Sequence, residues 1–115
     1  MITAIKSFRY AVNGLKTVWR EEQNFKIEVF IGAIVVFYSF YFSFTFAETV
    51  FCIIAVVMVL VVEIINTIVE DICNKIQPNQ DPLIEKIKDM SAAFVLITVL
   101  GSLAVGVLVL VNHFY

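Results

Sequence analysis

A chain of 115 residues in which 61% of the side chains are hydrophobic and only 16% are charged cannot be a water-soluble domain, because a fold of this size has too little interior to hide that much apolar surface. The class is an all-α, multi-pass membrane protein with one small domain over residues 1–115. The formal net charge of -2 gives no reason to expect a nucleic-acid partner; the information lies in where the charges fall.

From Ile5 to Trp19 the apolar residues Ile5, Phe8, Val12, Leu15 and Trp19 recur at helical steps, and a second stripe, Lys6, Arg9, Asn13, Lys16 and Arg20, runs one position behind. The two stripes predict an amphipathic helix over about residues 3–21, lying in the membrane interface. Its basic side chains suit a lipid-surface anchor, and they also suit an anionic soluble ligand. Arg20 to Glu28 then forms a dense charged patch. There Glu22 and Lys26, one turn apart, suit an ion pair, while two acids and a base at a membrane entrance suit a metal and a phosphate.

Val29 to Phe46 carries no charge, and its far end is aromatic through Phe37, Tyr38, Phe40, Tyr41 and Phe42. This predicts a first span over about residues 26–46, ending in an interfacial aromatic belt. Only Ala47-Glu48-Thr49 separates it from a second span over about residues 48–74, so the two form a tight antiparallel hairpin. Cys52 and Cys73 lie on that second segment without metal-ligand spacing and are read as packing residues, with no disulfide.

Gln77 to Pro82, with two prolines, breaks the helix. The amphipathic stretch Leu83 to Asp89 leads into 22 uncharged residues from Met90 to Val111, a third span within about residues 85–112. Inside it Ser102 and Gly106, with Gly101 beside them, suit close helix packing. All eight basic residues lie in the N-terminal segment or the second connection, so the positive-inside rule places the N-terminus and that connection in the cytoplasm and the C-terminus outside. No signal peptide is expected.

The second span carries the chemistry. Glu63, Asn66, Thr67 and Glu70 fall on one helical face, with the carboxylates almost eclipsed two turns apart. Ionisable groups at membrane depth are costly and mark functional sites. The topology brings to the same interface the Glu22–Glu28 patch, the Asn66–Asn74 end of the second span and Lys88-Asp89 at the start of the third. Acids there suit a divalent cation, the lysine suits phosphate, and the deeper Glu63 suits proton abstraction from a hydroxyl. Neither a G-x-x-x-x-G-K-[ST] nor a G-x-G-x-x-G run is present, so nucleotide phosphates would be held by side chains and metal. His113 is read as a terminal interfacial residue, and no base stands near Ser91, Cys52 or Cys73 for nucleophilic catalysis.

Glu63-Ile64-Ile65-Asn66-Thr67-Ile68-Val69-Glu70 resembles the signature E-x-x-N-[ST]-A-[IV]-E of the small prokaryotic diacylglycerol kinases, a family that includes the undecaprenol kinases. Lys88-Asp89-Met90-Ser91-Ala92-Ala93 is similar to a second family stretch, and Trp19-Arg20-Glu21-Glu22 with Phe25-Lys26 and Glu28 to a third. The resemblance implies a homotrimer in the bacterial inner membrane, with active sites between subunits at the cytoplasmic interface. There the γ-phosphoryl group of ATP passes to a lipid hydroxyl with Mg²⁺. It implies Glu63 as general base, with Asn66 supporting it, Lys88 on the transferring phosphate and Asp89 orienting that lysine. Glu22 and Glu70 are implied as metal ligands, both also on the nucleotide with Lys88, Lys6, Tyr10 and Glu28, and Glu63 and Trp19 as contacts to the lipid.

Three positions depart from the family pattern. Ile68 stands for alanine, Asn74 for aspartate, and Lys26 for arginine, which loses bidentate pairing. The leading expectation is phosphorylation of diacylglycerol to phosphatidic acid. Undecaprenol is the alternative acceptor by the same mechanism. A small proton-coupled transporter is the alternative of another class, since it needs Glu63 but has no evident need for Glu22, Glu70 and Lys88 together.

Overall fold

The structure, a computed structural model, describes residues 2–115. Four helices follow in order: α1 (Ile2–Glu21), α2 (Gln23–Tyr41), α3 (Phe46–Ile76) and α4 (Pro82–Phe114). Three of them, α2, α3 and α4, are long and apolar enough to cross a membrane. The described residues contain no strand. α4 packs along α3, α2 packs on the other flank of α3, and α1 packs mainly on α2.

α1 leaves its apolar stripe without a protein partner: Ile5, Phe8, Leu15 and Trp19 are exposed, and only Val18 is buried. That is the condition of a helix whose apolar face is met by lipid. Glu22, with an extended backbone, separates α1 from α2. The turn between α2 and α3 lies earlier than the sequence predicts. α2 stops at Tyr41, where Ser43 N–H donates to the Phe40 carbonyl at 3.2 Å and Phe44 N–H to the Ser39 carbonyl at 2.9 Å. This is a Schellman ending with Ser43, at φ 54°, in the left-handed position usually held by glycine. Thr45 then opens α3 through a capping box: its hydroxyl accepts from Glu48 N–H while the Glu48 carboxylate accepts from Thr45 N–H.

α4 also begins earlier than its predicted span. Asp81 caps it by accepting from the Leu83 and Ile84 amides, and Pro82 takes the first position, where no N–H is required. Four polar links in antiparallel register join α3 to α4. Lys88 bonds Asn74, Ser91 bonds Asn66, the Ser102 hydroxyl donates to the Ala55 carbonyl, and Asn112 with His113 meets Glu48. The buried residues are accordingly as much polar as apolar, with Ser39, Glu48, Glu63, Thr67 and Ser91 beside Val18, Phe25, Cys52, Cys73 and Val109. Helices in lipid gain little from hiding apolar surface from one another, so small and polar groups make the contacts. Both cysteines are free and buried.

The close approach expected at Ser102 and Gly106 is found at Ser102, whose hydroxyl reaches the α3 backbone, but not at the glycines beside it. A methyl group added at Gly101 or Gly106 would meet no atom, whereas one added at Gly32 would lie 2.5 Å from a methyl carbon of Val56. Gly32 is therefore where α2 and α3 approach most tightly among the glycines.

Candidate active site

α3 presents its four polar residues as a gradient from interior to surface. Glu63 and Thr67 are each 6% exposed, Asn66 is half-buried, and Glu70 is exposed. The Thr67 hydroxyl donates to the Glu63 carbonyl at 3.0 Å, a bond within its own helix that withdraws it from the site. Asn66 faces α4, and its Oδ1 accepts from the Ser91 hydroxyl at 2.7 Å.

Glu22, Glu28 and Glu70 all stand near enough to Glu63 for charges to interact with it. Glu22 and Glu28 arrive there because α2 begins at the break after α1. None of the four carboxylates forms an ion pair among the described residues, where His113 with Glu48 is the only one. The pairing of Glu22 with Lys26 expected from one-turn spacing is absent for that reason: Glu22 is the extended cap before α2, not a member of its face. Glu28 Oε2 is buried without a hydrogen-bond partner among the described residues. Its side chain helps line a groove of about 380 Å³ between α2, α3 and α4, otherwise apolar apart from Ser102.

Lys88, half-buried, donates from Nζ to Asn74 Oδ1 at 2.6 Å. Asp89 is exposed and bonds nothing among the described residues. Among the described residues the side chain that holds the lysine is the amide at position 74, across the α3–α4 seam. Lys6, Tyr10 and Trp19 lie exposed on α1, and none makes a hydrogen bond to the α3 face among the described residues.

Among the described residues no group of three or more metal-ligating side chains converges. Glu22 and Glu70 still fit a magnesium ion, which takes one or two carboxylates and completes its shell with water and phosphate oxygens. Glu63 interacts in turn with the charges of Glu22, Glu28 and Glu70, and no cation among the described residues offsets them, which suits a positively charged ligand.

Sequence reasoning missed Ser91 as the partner of Asn66, and it missed the role of Glu48. The Thr45-Phe46-Ala47-Glu48 capping box was a legible signal. Glu48, 4% exposed, also accepts from Asn112 at 3.0 Å and sits 2.9 Å from His113 Nδ1. His113 therefore ties the end of α4 to the start of α3, at the end of the bundle away from Glu63.

Comparison with known proteins identifies the family. The sequence model described as prokaryotic diacylglycerol kinase matches residues 9–110. A diacylglycerol kinase of Haemophilus influenzae is 28% identical over 106 residues, covering 90% of each chain. The diacylglycerol kinase of Escherichia coli K12 is 28% identical over 110 residues, covering 96% of this chain and 90% of that protein, and the Shigella flexneri protein of the same name matches equally. The chain thus belongs to the prokaryotic diacylglycerol kinase family, and it is a multi-pass membrane lipid kinase of that type.

Proposed function

We propose that the protein transfers the γ-phosphoryl group of MgATP to the free hydroxyl of diacylglycerol, giving phosphatidic acid, at the cytoplasmic face of a bacterial inner membrane. The observation that carries this reading is Glu63: a carboxylate 6% exposed on a membrane helix, flanked by three further acids and two turns from where the helix face becomes exposed at Glu70. A buried base beside the lipid, acids nearer the water and a lysine across the seam are the parts a phosphoryl transfer to a lipid hydroxyl requires.

In this mechanism Glu63 takes the hydroxyl proton as the lipid oxygen attacks the γ-phosphorus, and the bond from that phosphorus to the bridging oxygen breaks to release ADP. Lys88, steadied by Asn74, meets the charge on the transferring group. Glu22 and Glu70 hold magnesium, which when bound neutralises phosphate charge. Lys6, Tyr10 and Glu28 contact the nucleotide, and Trp19 contacts the lipid. Exposed apolar faces such as those bearing Ile31, Phe51 and Leu103 suit packing into a homotrimer with sites between subunits.

The test is transfer of labelled γ-phosphate from MgATP to diacylglycerol and, separately, to undecaprenol in mixed micelles. The parent chain phosphorylates diacylglycerol, and Glu63→Gln loses at least about a hundredfold in rate. Preference for undecaprenol would keep the mechanism and change the substrate. No product from either lipid in a folded parent would overturn the reading and make proton-coupled transport the next assay.

A further inference from the structure

We propose that Ser91 of α4 is a positioning residue that sets the orientation of the Asn66 side-chain amide. The proposal rests on the kinase reading for its catalytic consequence and on geometry alone for the orientation. Ser91 is 3% exposed, and a hydroxyl so deeply enclosed needs a partner. It finds one across the seam in Asn66 Oδ1 at 2.7 Å.

An asparagine amide presents an acceptor at one end and two donors at the other, and the two ends differ little in shape. What decides the orientation is the partner. Asn66 lies one turn from Glu63 on one side and one turn from Glu70 on the other, on the same helical face. With Oδ1 occupied by Ser91, the Nδ2 donors are left for that face, where they suit carboxylates and phosphate oxygens. Among the described residues no other side chain bonds Asn66. Turned the other way, the amide would set a carbonyl oxygen among acids, and the Ser91 hydroxyl, accepting from Nδ2, would lose the acceptor its own proton has in Asn66 Oδ1. Thr67 cannot substitute, since its hydroxyl is committed to the Glu63 carbonyl.

The same geometry distinguishes this role from packing. Ser91→Ala leaves nearly the same volume and removes only the donor, so a packing role predicts little change. An orienting role predicts that Ser91 acts entirely through Asn66. The experiment compares the full chain in detergent with Ser91→Ala, Asn66→Ala and the double variant. It reads the Asn66 side-chain amide ¹H–¹⁵N signals, assigned by their disappearance in Asn66→Ala, and then kcat and KM for MgATP and for the lipid.

The expected result is a shift of the Asn66 signals in Ser91→Ala, with kcat down about tenfold and both KM values unchanged. In the Asn66→Ala background the Ser91 substitution adds nothing, because its target is gone. Unmoved Asn66 signals overturn the proposal, as does a Ser91→Ala loss that repeats in full without Asn66. Shifted signals in Ser91→Ala, together with a parent that phosphorylates neither lipid, would remove the kinase reading while the orientation of Asn66 stands.

Discussion

A lysine on a helix at a membrane surface has four rotatable bonds and many places to put its charge. Lys88 has one place, the Asn74 carbonyl oxygen, and this acceptor is neutral, so on the proposed reading the full positive charge is kept for a phosphate. Asn74→Ala removes the tether and lowers kcat/KM for MgATP by about two- to tenfold, the range of one modest hydrogen bond. Asn74→Asp, which keeps an acceptor, retains activity; steady-state kinetics of the two variants check both statements. At this scale the sequence was partly legible. The spacing of Glu63, Asn66 and Glu70 put them on one face because helical periodicity is local. The contacts of Lys88 with Asn74 and of Ser91 with Asn66 were not legible, since each depends on the register of two helices. That register is set by contacts along the whole seam.

Elements differ in how much of their ending is written into them. The start of α4 is announced by Asp81-Pro82, an N-cap followed by a residue with no N–H to satisfy, and α3 starts at a capping box. The end of α2 carries no such sign. Its left-handed residue is Ser43, where a glycine would have marked the stop, and aromatic residues continue past it at Phe44 and Phe46. The rings of Tyr38, Phe42 and Phe44 instead pack together, and those of Phe42 and Phe44 meet Phe114 edge to face, closing the turn against the end of α4. The packing of α2 on α3 was likewise hidden, because nothing in the sequence says that Gly32 faces Val56. Gly32→Ala destabilises the protein by about 1–3 kcal/mol through overpacking. Adding Val56→Ala recovers most of that loss, and SDS-induced unfolding of the single and double variants measures it.

For the whole molecule, the basic residues predict an orientation that labelling decides. The native cysteines are buried, so cysteines placed at Asn79→Cys and Tyr115→Cys report on their own ends. A membrane-impermeant maleimide labels position 115 in intact spheroplasts and position 79 only after lysis; the reverse pattern would invert the molecule. The three spans are unequal. α2, at 19 residues, is about 28 Å long, just short of a hydrocarbon core of about 30 Å, whereas α3, at 31 residues, is about 46 Å. Counted from Phe46, Glu63 stands about 26 Å up α3 and Glu70 about 36 Å. With Phe46 at one edge of such a core and the helix upright, the opposite oil–water boundary falls between the two carboxylates. On the proposed reading, a greasy alcohol held in the leaflet and a polyanion dissolved in water meet at that level, and neither has to enter the other's solvent.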